Sequence, residues 1–194
     1  MARVLYPGSF DPVTHGHLDI ISRAAALFDT VVIGVYDAPP KHLLFTTDER
    51  TRMVEQAVKH LSNVEVKPYV GLTVEFARTV GAQALVRGLR MSSDFEREFE
   101  MAMMNKNLAP DIELVSLMAS LEYQFLSSSL VKEVFSLGGY IDNLVPKHVS
   151  AAMKKKLRVV KEVGSLEKRS AQETLREREK LINESARESA RKKG

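Results

Sequence analysis

Short runs of β-branched and apolar residues alternate with helical stretches along the first 160 residues of this chain. The runs are Val4–Tyr6, Val31–Val35, Val64–Lys67, Ala84–Arg87 and Leu114–Leu117. Between and after them, helical periodicity falls at His17–Phe28, Asp48–Leu61, Thr73–Val80, Ser93–Asn107 and Ser128–Leu137. Strands separated by helices pair in parallel, because a parallel neighbour needs a crossover long enough to hold a helix. The pattern therefore predicts a Rossmann-like α/β fold, a five-stranded parallel sheet with helices on both faces. In the first helix Leu18, Ile21, Ala25 and Phe28 recur at three- and four-residue steps and mark one apolar face. Thr47-Asp48-Glu49-Arg50 offers a polar start for the second helix, and a further helix is expected from Pro146 to about Val160.

The composition changes where the alternation stops. The chain has 194 residues, which at roughly 150 residues per domain is one domain and a fraction. Residues 160–194 hold ten Lys/Arg, seven Glu and no aromatic residue. Their excess of +3 equals that of the whole chain, so residues 1–159 are neutral. Ala171, Leu175, Ile182 and Ala186 supply only a thin apolar stripe there. The reading is a folded domain over 1–158 and a charged tail, helical or disordered, over 159–194.

Several classes of function fall away. The neutral first part carries no basic patch, so nucleic acid is not an expected partner. No apolar run approaches 18 residues, and MARVLYPGSFDP lacks the apolar stretch of a signal peptide. Neither a membrane span nor export is expected, and the cytoplasm is the expected location. The chain has no cysteine, which excludes a disulfide scaffold, a thiolate metal site and a cysteine nucleophile. His15, His42, His60 and His148 show no metal-ligand spacing, so no protein ligand for a metal is assigned.

Three segments carry candidate chemistry. The first, YPGSFDPVTHGH at 6–17, follows the first strand and opens the first helix. Ligands of open α/β sheets bind at the carboxyl ends of strands. Here Gly8 permits close backbone approach, Ser9 offers a hydroxyl, and His17 stands at a helix start whose N–H groups and dipole suit phosphate. Read from spacing alone, the same residues also make a Gly/Pro turn with a capping histidine. The segment is neither a GxxxxGK(S/T) loop nor a GxGxxG loop. The second segment, LVRGLR at 85–90, places Arg87 and Arg90 around Gly88 at a strand end. Arginine grips phosphate oxygens through a planar fork, although surface arginines also end strands. The third, YQFLSSSLVK at 123–132, sets three serines before an apolar periodic helix. A cap needs only one, so the others make either an anion cradle or a plain capping cluster. Lys41, after Pro39-Pro40, could reach a phosphate or simply be solvated.

Taken together, these segments resemble the nucleotidyltransferase superfamily that carries a T/H-x-G-H motif and a serine-rich second signature. Within it they are similar to the bacterial phosphopantetheine adenylyltransferases. The resemblance rests on YPGSFDPVTHGH at 6–17, RGLR at 87–90, DFEREFEMAMMN at 94–105 and YQFLSSSLVKEV at 123–134, in the family's order, over residues 1 to about 158. It says nothing of the tail. It implies transfer of the adenylyl group of ATP to 4′-phosphopantetheine, giving dephospho-CoA and pyrophosphate, the penultimate step of coenzyme A synthesis. It implies that Ser9 and Phe10 contact ATP, with Ser9 also near the acceptor phosphate. His17 would stabilise the pentacoordinate α-phosphate, with Lys41 and Arg90 also catalytic. Lys41 and Arg87 would hold the acceptor's phosphate, and Thr73 would line its pocket. His17, Gly88, Leu89, Arg90 and Glu98 would contact ATP. So would Tyr123, Gln124, Phe125, Leu126, Ser127, Ser128 and Ser129, around the adenine and the β- and γ-phosphates. The resemblance further implies Mg2+, a homohexamer, and CoA as a feedback inhibitor at the active site.

The chemistry agrees with the residues. A phosphate acceptor is already a nucleophile at neutral pH, so catalysis reduces to positioning and charge stabilisation. Cations and helix starts then suffice, and Mg2+ can be held largely by phosphate and water. Other readings are a sister nucleotidyltransferase acting on nicotinamide mononucleotide or glycerol phosphate, a nucleotide-binding regulatory protein without turnover, and a nucleic-acid binder using the tail. RGLR and the long helix around 94–105 favour the pantetheine enzyme.

Overall fold

The structure, a computed structural model, describes residues 2–37, 39, 43–90 and 92–156. Its elements are β1 (Arg3–Gly8), α1 (His15–Leu27), β2 (Thr30–Tyr36), α2 (Thr47–Val58), β3 (Val64–Tyr69), α3 (Thr73–Thr79), β4 (Ala84–Leu89), α4 (Ser92–Leu108), β5 (Glu113–Met118) and α5 (Ser128–Ser136), with a 3-10 turn at Leu121–Tyr123. All five strands pair in parallel, in the order β3-β2-β1-β4-β5. The expected Rossmann-like α/β fold is present. Another helical stretch opens at 147, just after Pro146, and its described residues end at 156. The charged tail over 159–194 and Lys41 lie outside the described residues. Met1–Ala151 form one compact unit that contains every strand.

Alternate residues of the strands feed two cores. Leu5, Val32 and Leu85 face Val74 and Ala77 of α3, together with Ala82, Ala109 and Ile112. Their strand neighbours Val4, Val31, Ile33 and Val86 are also buried, on the opposite face. Right-handed crossovers place α1 and α2 on that face and α3 and α4 on the other. A sheet covered on both sides explains why Val31–Val35 is a continuous buried run rather than an alternating one.

The element boundaries differ from the sequence reading in a consistent direction. Every strand runs one to two residues beyond its apolar run, to Gly8, Tyr36, Tyr69, Leu89 and Met118. Backbone pairing continues past the β-branched runs, into Gly8, Tyr36 and Met118, which are partly or fully exposed, and into Tyr69 and Leu89, which stay buried without being β-branched. In α1 the buried residues are Ile20, Ile21 and Ala24, whereas Leu18, Ala25 and Phe28 are only half-buried. The contact side of α1 lies toward β4, where Ile20 packs over Gly88, about one residue round from the expected stripe. The α2 cap is Thr46 rather than Thr47. Its side chain accepts from the Glu49 N–H while the Glu49 carboxylate accepts from the Thr46 N–H, a reciprocal capping box.

The strand order reverses direction between β1 and β4. Pairing of β1 with β2 continues to Gly8, but pairing with β4 covers only Val4–Ala84 and Leu5–Leu85. Beyond Leu5, Pro7 has no N–H with which to extend a ladder. The two strands part there, and a crevice opens at their carboxyl ends, where open α/β sheets bind ligands.

Candidate active site

The loop after β1 is held by buried charges. Arg50, fully buried in α2, donates from Nη1 to the carbonyls of Ser9 (2.6 Å) and Tyr36 (2.8 Å). Its Nη2 reaches the Asp37 carbonyl (3.3 Å) and Thr47 Oγ1 (2.8 Å), and its Nε reaches the Phe45 carbonyl (3.3 Å). Burial lowers the Arg50 pKa, and the charges of Asp11 and Asp37 oppose that fall. Asp11 is also fully buried. Its carboxylate accepts from the N–H groups of Leu44 (2.9 Å) and Phe45 (3.0 Å) and from Lys132 Nζ (2.6 Å). Between these anchors Phe10 adopts a left-handed backbone conformation, φ 48°, uncommon for a side chain of its size. Its ring is buried above Gly8, where an added Cβ would stand 2.9 Å from it. It packs edge-on against Tyr6 (5.6 Å) and His17 (5.1 Å).

His17 is the third residue of α1, not the first. Thr14 caps the helix and its hydroxyl accepts from the His17 N–H (3.4 Å). In return His17 Nδ1 accepts from the Thr14 N–H (3.0 Å). With Nδ1 an acceptor, the neutral imidazole carries its proton on Nε2. The capping role and the chemical role expected of His17 therefore use different ring nitrogens. The His15 N–H is taken by the Leu144 carbonyl (3.0 Å), whereas the Gly16 N–H has no partner among the described residues.

The three serines divide the work at α5. Ser127 is the cap and accepts from the Leu130 N–H (3.1 Å). Ser128 Oγ donates to the Pro12 carbonyl (2.8 Å), tying α5 to the β1 loop. The N–H groups of Ser128 and Ser129, first and second in the helix, have no helical partner to bond. The segment before α5 is fixed from α1, since Asp19 accepts from Ser120 Oγ (2.8 Å) and Arg23 donates to the Met118 carbonyl (2.6 Å). His15 stacks on Tyr123 at 6.5 Å.

The second arginine segment closes the site. Arg87 grips Glu98 through two bonds, Nε to Oε2 (2.7 Å) and Nη2 to Oε1 (2.5 Å), and gives a third from Nη1 to the Pro7 carbonyl (2.8 Å). Burial alone would lower its pKa, but Glu98 outweighs burial and raises it. A guanidinium has five N–H donors, so two remain, one on each Nη. Arg90 Nη1 donates to the Leu126 carbonyl (2.9 Å), joining β4 to the serine segment. Tyr6, which lines the base of the cleft, has its hydroxyl pKa pushed up to about 12, mainly by burial. These elements enclose a cleft of about 520 Å³ lined by Ser9, Phe10, Gly16, His17, Arg87, Gly88, Arg90, Glu98, Tyr123, Leu126 and Ser127–Ser129, among others. Two helix starts and three arginines, Arg87, Arg90 and Arg97, border one cavity, an arrangement suited to a polyphosphate.

The sequence model of the Cytidylyltransferase-like family matches residues 5–134, which contain this whole cleft. A phosphopantetheine adenylyltransferase of Thermomicrobium roseum is 52% identical over 161 residues, covering 81% of this chain and 96% of its own. The chain belongs to the phosphopantetheine adenylyltransferase family. Others of that name, from Roseiflexus castenholzii (80% of this chain, 97% of the relative) and Gloeobacter violaceus (77% and 93%), are 52% and 53% identical. A solved structure described as a nicotinate-nucleotide adenylyltransferase of Vibrio parahaemolyticus superposes with a TM-score of 0.61 over 81% of this chain and 95% of that one. At 19% identity it speaks to the fold alone.

Twelve of the expected site residues line the cleft: Ser9, Phe10, His17, Arg87, Gly88, Arg90, Glu98, Tyr123, Leu126, Ser127, Ser128 and Ser129. Leu89, Gln124, Phe125 and Thr73 are not among its lining residues. Leu89 is buried and its carbonyl accepts from the Ala119 N–H (2.8 Å). Phe125 is 57% exposed. Thr73 stands at the carboxyl end of β3, with its hydroxyl on the Tyr69 hydroxyl (2.9 Å). Asp11, Arg50 and Lys132 were not singled out, because a charged residue in a loop or helix start reads as solvated until long-range contacts bury it. Among the described residues no three His, Cys, Asp or Glu side chains cluster as a metal would need, and no helix is long and apolar enough to cross a membrane.

Proposed function

We propose that this chain transfers the adenylyl group of ATP to 4′-phosphopantetheine, giving dephospho-CoA and pyrophosphate, as in coenzyme A synthesis. The observation that carries the reading is the convergence of His17, Arg87, Arg90 and the starts of α1 and α5 on one cleft, in a chain half identical to enzymes of that name. The acceptor phosphate attacks the α-phosphorus in line, the bond to the β-phosphate bridge breaks, and pyrophosphate leaves. No general base is needed, because the acceptor oxygen is already anionic. Negative charge grows on the α-phosphate oxygens, and His17, which lines the cleft, is the side chain assigned to stabilise it. The Gly16 amide at the start of α1 adds to that field.

The remaining roles follow the same map. Ser9 and Phe10 border ATP, with Ser9 also beside the acceptor phosphate. Arg87 turns its two remaining N–H donors to that phosphate, and Glu98 fixes its orientation while bordering the nucleotide. Lys41 joins Arg87 on the acceptor and acts with His17 and Arg90 in catalysis. Thr73, at the same end of the sheet, lines the pantetheine pocket. Gly88, Leu89 and Arg90 flank ATP, and Tyr123 through Ser129 surround the adenine and receive the β- and γ-phosphates. Among the described residues Glu98 is the one carboxylate lining the cleft, and both its oxygens are engaged by Arg87. Mg2+ therefore enters with ATP, held by phosphate oxygens and water. We place the protein in the cytoplasm as a homohexamer inhibited by CoA at this site. The half-exposed Phe95, Phe99, Met103 and Met104 on α4 make the kind of apolar surface that self-association covers. Incubation of the purified protein with ATP and 4′-phosphopantetheine should release pyrophosphate. Turnover with nicotinamide mononucleotide or glycerol phosphate, and none with phosphopantetheine, would overturn the assignment.

A further inference from the structure

We propose that the ion pair between buried Asp11 and half-buried Lys132 sets the spacing between the Ser9–Phe10 loop and the start of α5, making both residues positioning residues for the nucleotide's phosphates. Asp11 is fully buried, and Lys132 Nζ lies 2.6 Å from its Oδ2. Neither residue lines the cleft. Lys132 is four residues after Ser128, so both stand on one face of α5. Ser128 Oγ bonds the Pro12 carbonyl at 2.8 Å. Two successive turns of α5 are thus fastened to two successive residues of the loop. The same helix presents the Ser128 and Ser129 amides to the cleft, and the same loop presents Ser9 and Phe10.

Stability alone does not explain the pair. Taking the Asp11 carboxylate out of water costs about as much as its attraction to the half-buried Lys132 ammonium returns, and apolar substitutes for such pairs are often neutral or better. Lys132 is also not required to satisfy Asp11, whose oxygens already accept from the Leu44 and Phe45 amides. What Lys132 adds is a tether to α5. With only the Ser128 bond left between helix and loop, the helix can shift against the loop even though Val131 and the Arg90–Leu126 bond keep it on the sheet, and misplacement of a donor by a fraction of an ångström is costly in a phosphate site.

The inference rests on the cleft being the ATP site. It is tested on the full chain by isothermal titration with ATP and, separately, with 4′-phosphopantetheine, alongside thermal melting. Lys132→Met should weaken ATP about tenfold or more and phosphopantetheine by less than about threefold. Lys132→Met should also lower Tm, because it leaves the Asp11 charge without its cation. The double variant D11N/K132M removes both members of the pair and should regain part of that Tm, the loss of Asp11 beside Arg50 keeping it below wild type, while its ATP affinity stays weak. Should Lys132→Met fail to fold, the double variant alone decides. Unchanged ATP affinity in a folded variant, or affinity that returns together with Tm in the double variant, would overturn the inference. A wild-type protein that binds no ATP would overturn the reading of the cleft beneath it.

Discussion

Replacing Arg50 by lysine should cost this protein a large part of its stability although the charge is kept. Arg50 spreads five hydrogen bonds over three nitrogens, to the carbonyls of Ser9, Tyr36, Asp37 and Phe45 and to Thr47 Oγ1. A lysine nitrogen placed where Nη1 stands can keep the Ser9 and Tyr36 bonds, but nothing then reaches the Phe45 carbonyl, the Asp37 carbonyl or Thr47. Three lost bonds at about 1 kcal/mol each, somewhat more for a charged donor, give about 3–5 kcal/mol. For a chain of this length each kcal/mol moves Tm by about 2–4 °C, so Arg50→Lys should melt about 6–20 °C below wild type. Circular dichroism melts of the two proteins under one buffer measure it. A loss below about 3 °C would show that water or relaxation replaces the guanidinium, and would refute the idea that Arg50 is the clamp of the β1 loop.

Four further outcomes follow from the same geometry. His17→Ala should lower kcat about 100-fold or more while the variant stays folded, with about 1 kcal/mol lost from the capping box; full-rate turnover would remove His17 from the mechanism. Arg87→Ala should weaken phosphopantetheine more than ATP, and isothermal titration with unchanged phosphopantetheine affinity would contradict its role. Tyr6 holds its proton to about pH 12 in the folded state and to about 10 when unfolded, so its contribution is intact below pH 10 and lost as pH rises through 12. Tyr6→Phe should therefore show a shallower fall in Tm over that range than wild type, and parallel curves would refute the burial argument. Removal of residues 162–194 should leave turnover intact, and a folded but inactive truncation would place the tail in the site.

Much of this was legible because parallel α/β sheets write their period plainly. A strand covered on both faces must be apolar throughout, as Val31–Val35 is, and the glycines, arginines and serines that follow strands or precede helices stand at the ligand end. That logic places Ser9, His17, Arg87 and the 127–129 serines around one cleft before any coordinates. It does not reveal depth. Arg50 reads as the polar start of a helix, and only the carbonyls of Ser9 and Tyr36, far away in sequence, make it a buried clamp. Asp11 reads as part of a Gly/Pro turn, and its partner Lys132 lies 121 residues on. The strands outrun their β-branched runs for a related reason, since hydrogen bonding continues into Gly8, Tyr69 and Leu89, whose side chains carry no β-branch to mark them. The engagement of Glu98 by Arg87 shows the same limit from the other side: two expected ligand contacts turn out to bind each other as well.

The central claim is that the acceptor phosphate attacks the α-phosphorus directly, in a cleft built of donors with no covalent relay. ATP made chiral at the α-phosphorus by sulfur and oxygen-isotope substitution tests it in a single turnover with 4′-phosphopantetheine. One in-line displacement inverts that centre, and inversion in the dephospho-CoA product is the expected result. Retention would mean two displacements through an adenylylated enzyme, and would contradict the account.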